Sequence, residues 1–251
     1  MRLDQLLFSQ GFGTRRVCAG LIEQGLVSVG GTVCTEPGAE FDTAAEGLAF
    51  TVQGVDWAFH ERAYLMLNKP AGYECSHRPG AWPGVYTLLP AALRQRPPHT
   101  KSSAKIVGVQ AVGRLDQDTT GLLLLSDDGK FIHRMSSPKH HVPKVYDVTA
   151  KHPVDSEQIG KLLAGVVLDD DPKPVRAAAC EQTSELQLSL TLTEGKYHQV
   201  KRMIAAVGNR VEGLHRSRIG SLGLPADLKP GEWRWLTAQD LLSISGAPVK
   251  K

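Results

Sequence analysis

The chain has 251 residues, 41% hydrophobic and 22% charged, which excludes a disordered segment and suffices for one large domain or a small domain beside a larger one. No apolar run approaches the roughly 20 residues that span a bilayer, and Met1-Arg2-Leu3-Asp4-Gln5 does not open a signal peptide, so a cytoplasmic protein is expected. The net charge of +3 excludes little by itself, but it is unevenly spread.

Residues 1–43 read as a small unit. Leu3, Leu6 and Leu7 share one helical face, and Thr14 is placed to cap a second helix through Arg15, Arg16, Val17, Leu21 and Ile22. Gly25 stops that helix. Val27, Val29 and Val33 then alternate around Gly30-Gly31, which predicts a hairpin. Residues 44–60 read as a connector with one short strand, Leu48 to Val52. A larger domain begins near Arg62. Tyr64 to Leu67 is a buried strand ended by Asn68-Lys69-Pro70. Residues 90–106, rich in proline and basic groups, predict a surface loop. Leu122 to Leu125 is a strand, and Asp127-Asp128-Gly129 a turn opening a helix with Phe131 and Ile132. Val145, Tyr146 and Val148 suggest a strand, and Val154 to Leu163 a helix. Leu186, Leu188, Leu190 and Leu192 alternate cleanly, a strong strand signal. A helix from His198 to Val207 follows, capped by Gly208-Asn209. Further strands are expected near Leu214 to Ile219 and Trp233 to Leu236. Mixed strands and helices without regular alternation give an α+β class with a mainly antiparallel sheet.

Residues 1–43 hold three basic residues, Arg2, Arg15 and Arg16, against five acids. Residues 195–218 hold six, Lys196, Lys201, Arg202, Arg210, Arg216 and Arg218, against Glu212. Such a run suits phosphate contact, although a solvated helix face is its commoner meaning. Cys18, Cys34, Cys75 and Cys180 form no C-x-x-C pair, so a metal site has no support and reduced thiols are expected.

The tetrapeptide Arg-Leu-Asp-Gln occurs twice, at Arg2–Gln5 and Arg114–Gln117, so surroundings must separate the copies. The first opens an amphipathic helix, where Asp4 suits the positive end of the dipole. The second lies between Val112-Gly113 and Asp118-Thr119-Thr120-Gly121, which describes a shaped loop entering a strand. Loops on rigid scaffolds concentrate catalytic residues, making Asp116 or Asp118 a candidate site acid. A turn with capping carboxylates is the plain alternative.

The segment Gly113-Arg114-Leu115-Asp116-Gln117-Asp118-Thr119-Thr120-Gly121, continuing through Leu122-Leu123-Leu124-Leu125-Ser126-Asp127-Asp128-Gly129, closely resembles the central motif of the ribosomal small-subunit (Rsu-type) pseudouridine synthase family. Leu67-Asn68-Lys69-Pro70-Ala71-Gly72-Tyr73, Lys144-Val145-Tyr146, and Gly195 to Met203 with Leu214-His215-Arg216 resemble its other motifs, in order. Arg2-Leu3-Asp4, Thr14-Arg15-Arg16, Leu21 to Gly25 and Val27 to Val29 resemble an S4-like RNA-binding domain. Gln5 and Leu26 stand where basic residues are common. With the acidic balance, this implies that the module orients substrate rather than supplying most affinity. The resemblance implies an S4-like module and linker over 1–60 and a catalytic domain over 61–251, with a mixed sheet flanked by helices.

The same resemblance implies the residue roles. Asp116 is the catalytic nucleophile, a carboxylate that can attack and leave without a cofactor. Tyr146 stacks on the flipped base. Lys201 pairs with the nucleophile, since a basic partner keeps a carboxylate ionised. Arg114 and Leu214 join them at the substrate. Asp118 supports the loop. RNA contact is implied for Arg2, Arg15, Arg16, Lys69, Lys196, His198, Gln199 and Arg202. The partner is ribosomal RNA, free or in a subunit assembly intermediate, and no metal or cofactor is called for. Without an exposed heptad, a monomer is expected. Tyr197 to Arg202 and Ser137 to His141 favour 16S rRNA over 23S rRNA, while Leu93 to Val109 points less clearly. Two other classes are a non-catalytic RNA-binding assembly factor and a glycosidase-like hydrolase pairing Asp116 with Asp118.

Overall fold

A computed structural model describes residues 1–44, 47–98, 107–169 and 171–244. The chain divides into two compact units. The first comprises residues 1–64, 89–110 and 126–129, and the second residues 65–88, 111–125 and 130–251. The first unit thus draws in segments from beyond the boundary expected at residue 60.

In the first unit, α1 (Leu3–Gln10) and α2 (Arg15–Glu23) lie where the periodicity predicts. Thr14 caps α2, its side chain accepting from Val17 N at 3.3 Å. The hairpin of β1 (Val27–Val29) and β2 (Thr32–Cys34) pairs Val27 with Cys34 and Val29 with Thr32. The connector holds a second hairpin rather than one strand: β3 (Ala49–Val52) and β4 (Val55–Ala58), giving a sheet ordered β2-β1-β3-β4. Gln53 and Gly54, both at positive φ, make its two-residue turn. Leu3, Leu6, Leu7, Ile22, Val27 and Phe50 form the core.

The loop predicted over 90–106 is corrected in part. Ala91–Gln95 forms α3, burying Ala92 and Leu93, while residues 99–106 lie outside the described residues. Arg96, at 1% exposure, explains the packing. Its Nε donates to Asp127 Oδ2 at 2.6 Å, Nη1 to Gln10 Oε1 at 2.9 Å and Nη2 to the His60 carbonyl at 2.7 Å. Asp127 Oδ1 also accepts from Ala63 N at 2.8 Å. A buried charge needs such compensation, and these bonds tie three separate stretches together. Gly11, at φ +90, fits the same place, since a Cβ there would meet the Ala92 carbonyl oxygen at 2.0 Å.

The second unit is built on a sheet of β5 (Tyr64–Lys69), β7 (Thr120–Ser126), β8 (Lys144–Ala150), β11 (Ala179–Ser184), β12 (Gln187–Leu192), β13 (Val211–Ile219) and β15 (Trp233–Trp235). Their order is β11-β12-β8-β13-β7-β5-β15, with β14 (Leu222–Gly223) beside β13; a two-residue strand, β6 (Gln110–Ala111), precedes β7. β13 and β7 run parallel, pairing His215 with Thr120 and Arg216 with Gly121, whereas β8 is antiparallel to both β12 and β13. The run Leu122 to Leu125 is buried throughout because β7 is central. Leu188, Leu190 and Leu192 point to one face, as their alternation predicts, but Leu186 precedes β12 and is exposed. That face packs with Leu162 of α5 (Ser156–Ala164) and with Met203 and Ile204 of α6 (Gln199–Ala206). The helix expected from Val154 starts later because Asp155 caps it, accepting from Gln158 N at 2.8 Å. Helix α4 (Gly129–Ser136) begins at the predicted turn, whereas β9 (Val166–Leu168), β10 (Asp171–Val175), β11 and the last helix, α7 (Ala238–Ile244), were not expected.

Candidate active site

The Arg114 to Thr119 loop leads into β7, within the second unit. Its backbone is held from below by Lys69, the C-terminal residue of β5 and fully buried. Lys69 Nζ donates to the carbonyls of Asp116 (3.0 Å), Gln117 (3.2 Å), Thr119 (2.8 Å) and Pro70 (3.1 Å). Gly72 N adds a bond to the Gln117 carbonyl at 2.8 Å. Burial pulls the Lys69 ammonium below its usual range, against the opposing pull of Cys75, Asp118 and Asp116. On the other flank Leu115 N donates to Cys75 Sγ at 3.5 Å. These bonds fix the backbone of Asp116 and leave its carboxylate free to face a cavity of about 800 Å³, ample for a nucleoside.

Gly121 sets where the loop meets the sheet. It has φ +103, and a Cβ there would lie 2.3 Å from the Arg216 carbonyl oxygen. Thr120 Oγ1 contacts His215 Nδ1 at 2.8 Å, registering β7 on β13.

Two basic side chains from the α6 region meet the Asp116 carboxylate. His198 Nε2 lies 3.4 Å from Oδ1, and Lys201 Nζ lies 3.4 Å from Oδ2. Lys201 sits nearer Asp118, at 2.7 and 2.8 Å to its two oxygens. Burial raises Asp118, but the Lys201 hydrogen bonds and charge outweigh it and hold the carboxyl below its usual range. The same pairing holds Lys201 above its own range despite burial. Asp118 therefore anchors Lys201 as well as turning the loop.

Arg114, Tyr146, Lys196, His198, Lys201 and Leu214 all border this cavity with Asp116. Arg2, Arg15 and Arg16 belong to the first unit. There Arg2 forks onto Asp4 through two bonds of 3.0 and 3.1 Å, and the Arg15 guanidinium lies over Phe8, 5.5 Å from its ring centroid. Two expectations are corrected. Lys69 is not an RNA contact, because it has no exposed surface and its ammonium donates to the loop carbonyls and to the Pro70 carbonyl. Gln199 borders the cavity but is buried, and its amide is spent on Lys196 N at 2.8 Å and Glu194 Oε1 at 3.0 Å. Arg202 donates to the Tyr197 carbonyl at 3.2 Å.

Several bordering residues escape the sequence reading. Cys75 and Glu74 come from the segment after β5, which carries no chemical motif. Lys144 and Arg216 lie within recognised motifs without a chemical role of their own. Arg216 is 1% exposed, with Nε on the Leu122 carbonyl at 2.8 Å. Burial, helped by Arg216, pushes Lys144 down to about 8.

Comparison with known proteins places the chain in a family. An RNA pseudouridylate synthase family model matches residues 63–206, and an S4 domain model matches residues 1–44. The chain is 38% identical to ribosomal small subunit pseudouridine synthase A of Pasteurella multocida, over 98% of this chain and 100% of that protein. It is 39% identical to the Escherichia coli K12 protein of the same name, over 97% and 100%. A crystal structure of a pseudouridylate synthase superposes with a TM-score of 0.65 at 34% identity, covering 97% of this chain and 99% of that one. The chain belongs to the RNA pseudouridylate synthase family and carries an S4 domain at its N-terminus.

Proposed function

We propose that this protein isomerises a uridine of 16S ribosomal RNA to pseudouridine, with Asp116 as nucleophile. One observation carries the assignment: the Asp116 carboxylate faces the cavity on a loop fixed by Lys69 and Gly72, between His198 and Lys201. The small-subunit names of full-length relatives support the choice of RNA. In this reading the uridine is flipped into the cavity, where Tyr146 stacks on its ring. Asp116 attacks, and the bond between ribose C1′ and uracil N1 breaks. The detached base rotates, C5 bonds to C1′, and Asp116 leaves. C5 then loses its proton and N1 gains one, so the product is an isomer of the substrate. The Tyr146 hydroxyl assists that late proton removal. No step calls for a cofactor.

Residues 1–60 serve as the RNA-orienting S4-like module with its linker, and residues 61–251 as the catalytic domain. The protein acts as a monomer in the cytoplasm, on ribosomal RNA either free or within a subunit assembly intermediate. Among the described residues no helix is long and apolar enough to cross a membrane.

Pseudouridine mapping in both ribosomal RNAs, from cells lacking the protein and from cells carrying Asp116→Asn, tests the reading. One site in 16S rRNA should revert to uridine in both strains, while the purified variant still binds the RNA. A fully modified site in the variant strain would remove Asp116 from the nucleophile role. Loss of a 23S site instead would reassign the substrate.

A further inference from the structure

Tyr197 is 70% exposed, more than any other exposed large hydrophobic side chain among the described residues. Tyrosine gains when its ring is covered, so an outward ring forgoes stabilisation. One face is covered by His198, with ring centroids 3.7 Å apart and planes 21° apart. The other face is open. His198 in turn reaches Asp116, with Nε2 3.4 Å from Oδ1. The open face therefore lies one stacked ring beyond a residue that touches the nucleophile.

This arrangement is held against a local backbone preference. His198 adopts φ 48 and ψ 32, a left-handed conformation costly for a side chain with a Cβ. The turn is clamped on both sides by Gln199 Oε1 on Lys196 N, Gln199 Nε2 on Glu194 Oε1, and Arg202 Nη1 on the Tyr197 carbonyl. Strain maintained by surrounding bonds marks a place where geometry matters. Here it aims one ring at Asp116 and lays the other over it.

We infer that the open face of Tyr197 is a stacking shelf for the nucleobase adjoining the target uridine in the RNA strand. The inference rests on the proposed reaction and adds a second base subsite to it. A flipped uridine leaves its neighbour without a stacking partner, and an aromatic face at the cavity rim supplies one. Lys196 and Arg202 in the same stretch suit the phosphates on either side. Stacking accepts any base, so the shelf holds the strand and leaves sequence choice to other contacts.

The test uses the full-length protein and ribosomal RNA transcripts, with pseudouridine yield as the readout. The shortest transcript that the wild type modifies becomes the substrate. Tyr197→Ala should raise KM for that RNA by roughly 5- to 150-fold, the range of one lost base–aromatic stack. Tyr197→Phe should stay within about twofold of wild type, because the ring and not the hydroxyl stacks. An abasic residue placed beside the target uridine should penalise the wild type and leave Tyr197→Ala unaffected. Three results would overturn the shelf: an unchanged KM in Tyr197→Ala, a Tyr197→Phe as impaired as Tyr197→Ala, or additive penalties with abasic residues on both sides. A defect in Tyr197→Ala on subunit particles but not on naked RNA would overturn it too, since the partner would then be protein. If the wild type modifies no transcript or particle, the proposed reaction and the shelf fail together.

Discussion

Replacing Lys69 by methionine tests whether the Asp116 loop depends on one buried cation. The side chain keeps its length, so the change removes donors without opening a large cavity. Three carbonyls of the Asp116 to Thr119 loop lose a charged donor at 2.8 to 3.2 Å. Hydrogen bonds to charged groups contribute about 1.5–3 kcal/mol each, a gross loss of roughly 4–9 kcal/mol. Removing a buried ammonium returns several kcal/mol of desolvation. The net is a destabilisation of about 2–4 kcal/mol, or a fall in Tm of roughly 5–15 °C for a chain of this size. Activity should fall further than stability, since a displacement near 1 Å at a reacting group costs about 100-fold. The assays are thermal unfolding and single-turnover pseudouridine formation at a temperature where both proteins are folded. A Lys69→Met variant within about threefold of wild-type kcat/KM and 2 °C of its Tm would refute the reasoning.

Three further outcomes are expected. Gly121→Ala, with its Cβ 2.3 Å from the Arg216 carbonyl and φ at +103, should cost about 3 kcal/mol or more and melt well below wild type; an equal Tm would show that β7 and β13 can part without penalty. Replacing both Lys196 and Arg202 by alanine should weaken RNA binding and flatten the slope of log K against log salt by about 1–2, and an unchanged slope would remove them from the phosphates. Lys144 carries a folded-state pKa of about 8 against an ordinary 10.5, so between those values the unfolded chain binds more protons. Wild-type stability should therefore rise with pH across that window relative to Lys144→Met, read as urea midpoints; parallel midpoints would show that the ammonium is not buried.

Local pattern sufficed for much of the fold. The Leu3, Leu6 and Leu7 spacing, the Thr14 cap and the alternation of Leu188 to Leu192 each carry their structure in their own spacing. The strand β11 did not, because its side chains are largely exposed and leave no period to read, and β9 is too short, at three residues, for its alternation of buried Val166 and Leu168 around exposed Val167 to stand out. Arg96 was misplaced for a similar reason. Beside prolines it reads as surface, and its burial is made tolerable by partners distant in sequence, Asp127, Gln10 and the His60 carbonyl.

The candidate site divides along the same line. The linear string from Gly113 to Gly121 marked Asp116, although the copy at Arg2–Gln5 shows that four residues do not suffice. The motifs themselves separated the two copies, since each motif is a run of neighbours and chain order is readable. Only the tertiary structure decided which donors hold the loop, moving Lys69 from RNA contact to buried anchor and Gln199 from RNA contact to turn clamp. It also brought Cys75, Arg216 and Tyr197 to the cavity. Their positions depend on strand order and register, as where β13 lies parallel to β7, and such pairings join residues about 95 positions apart that no local spacing encodes.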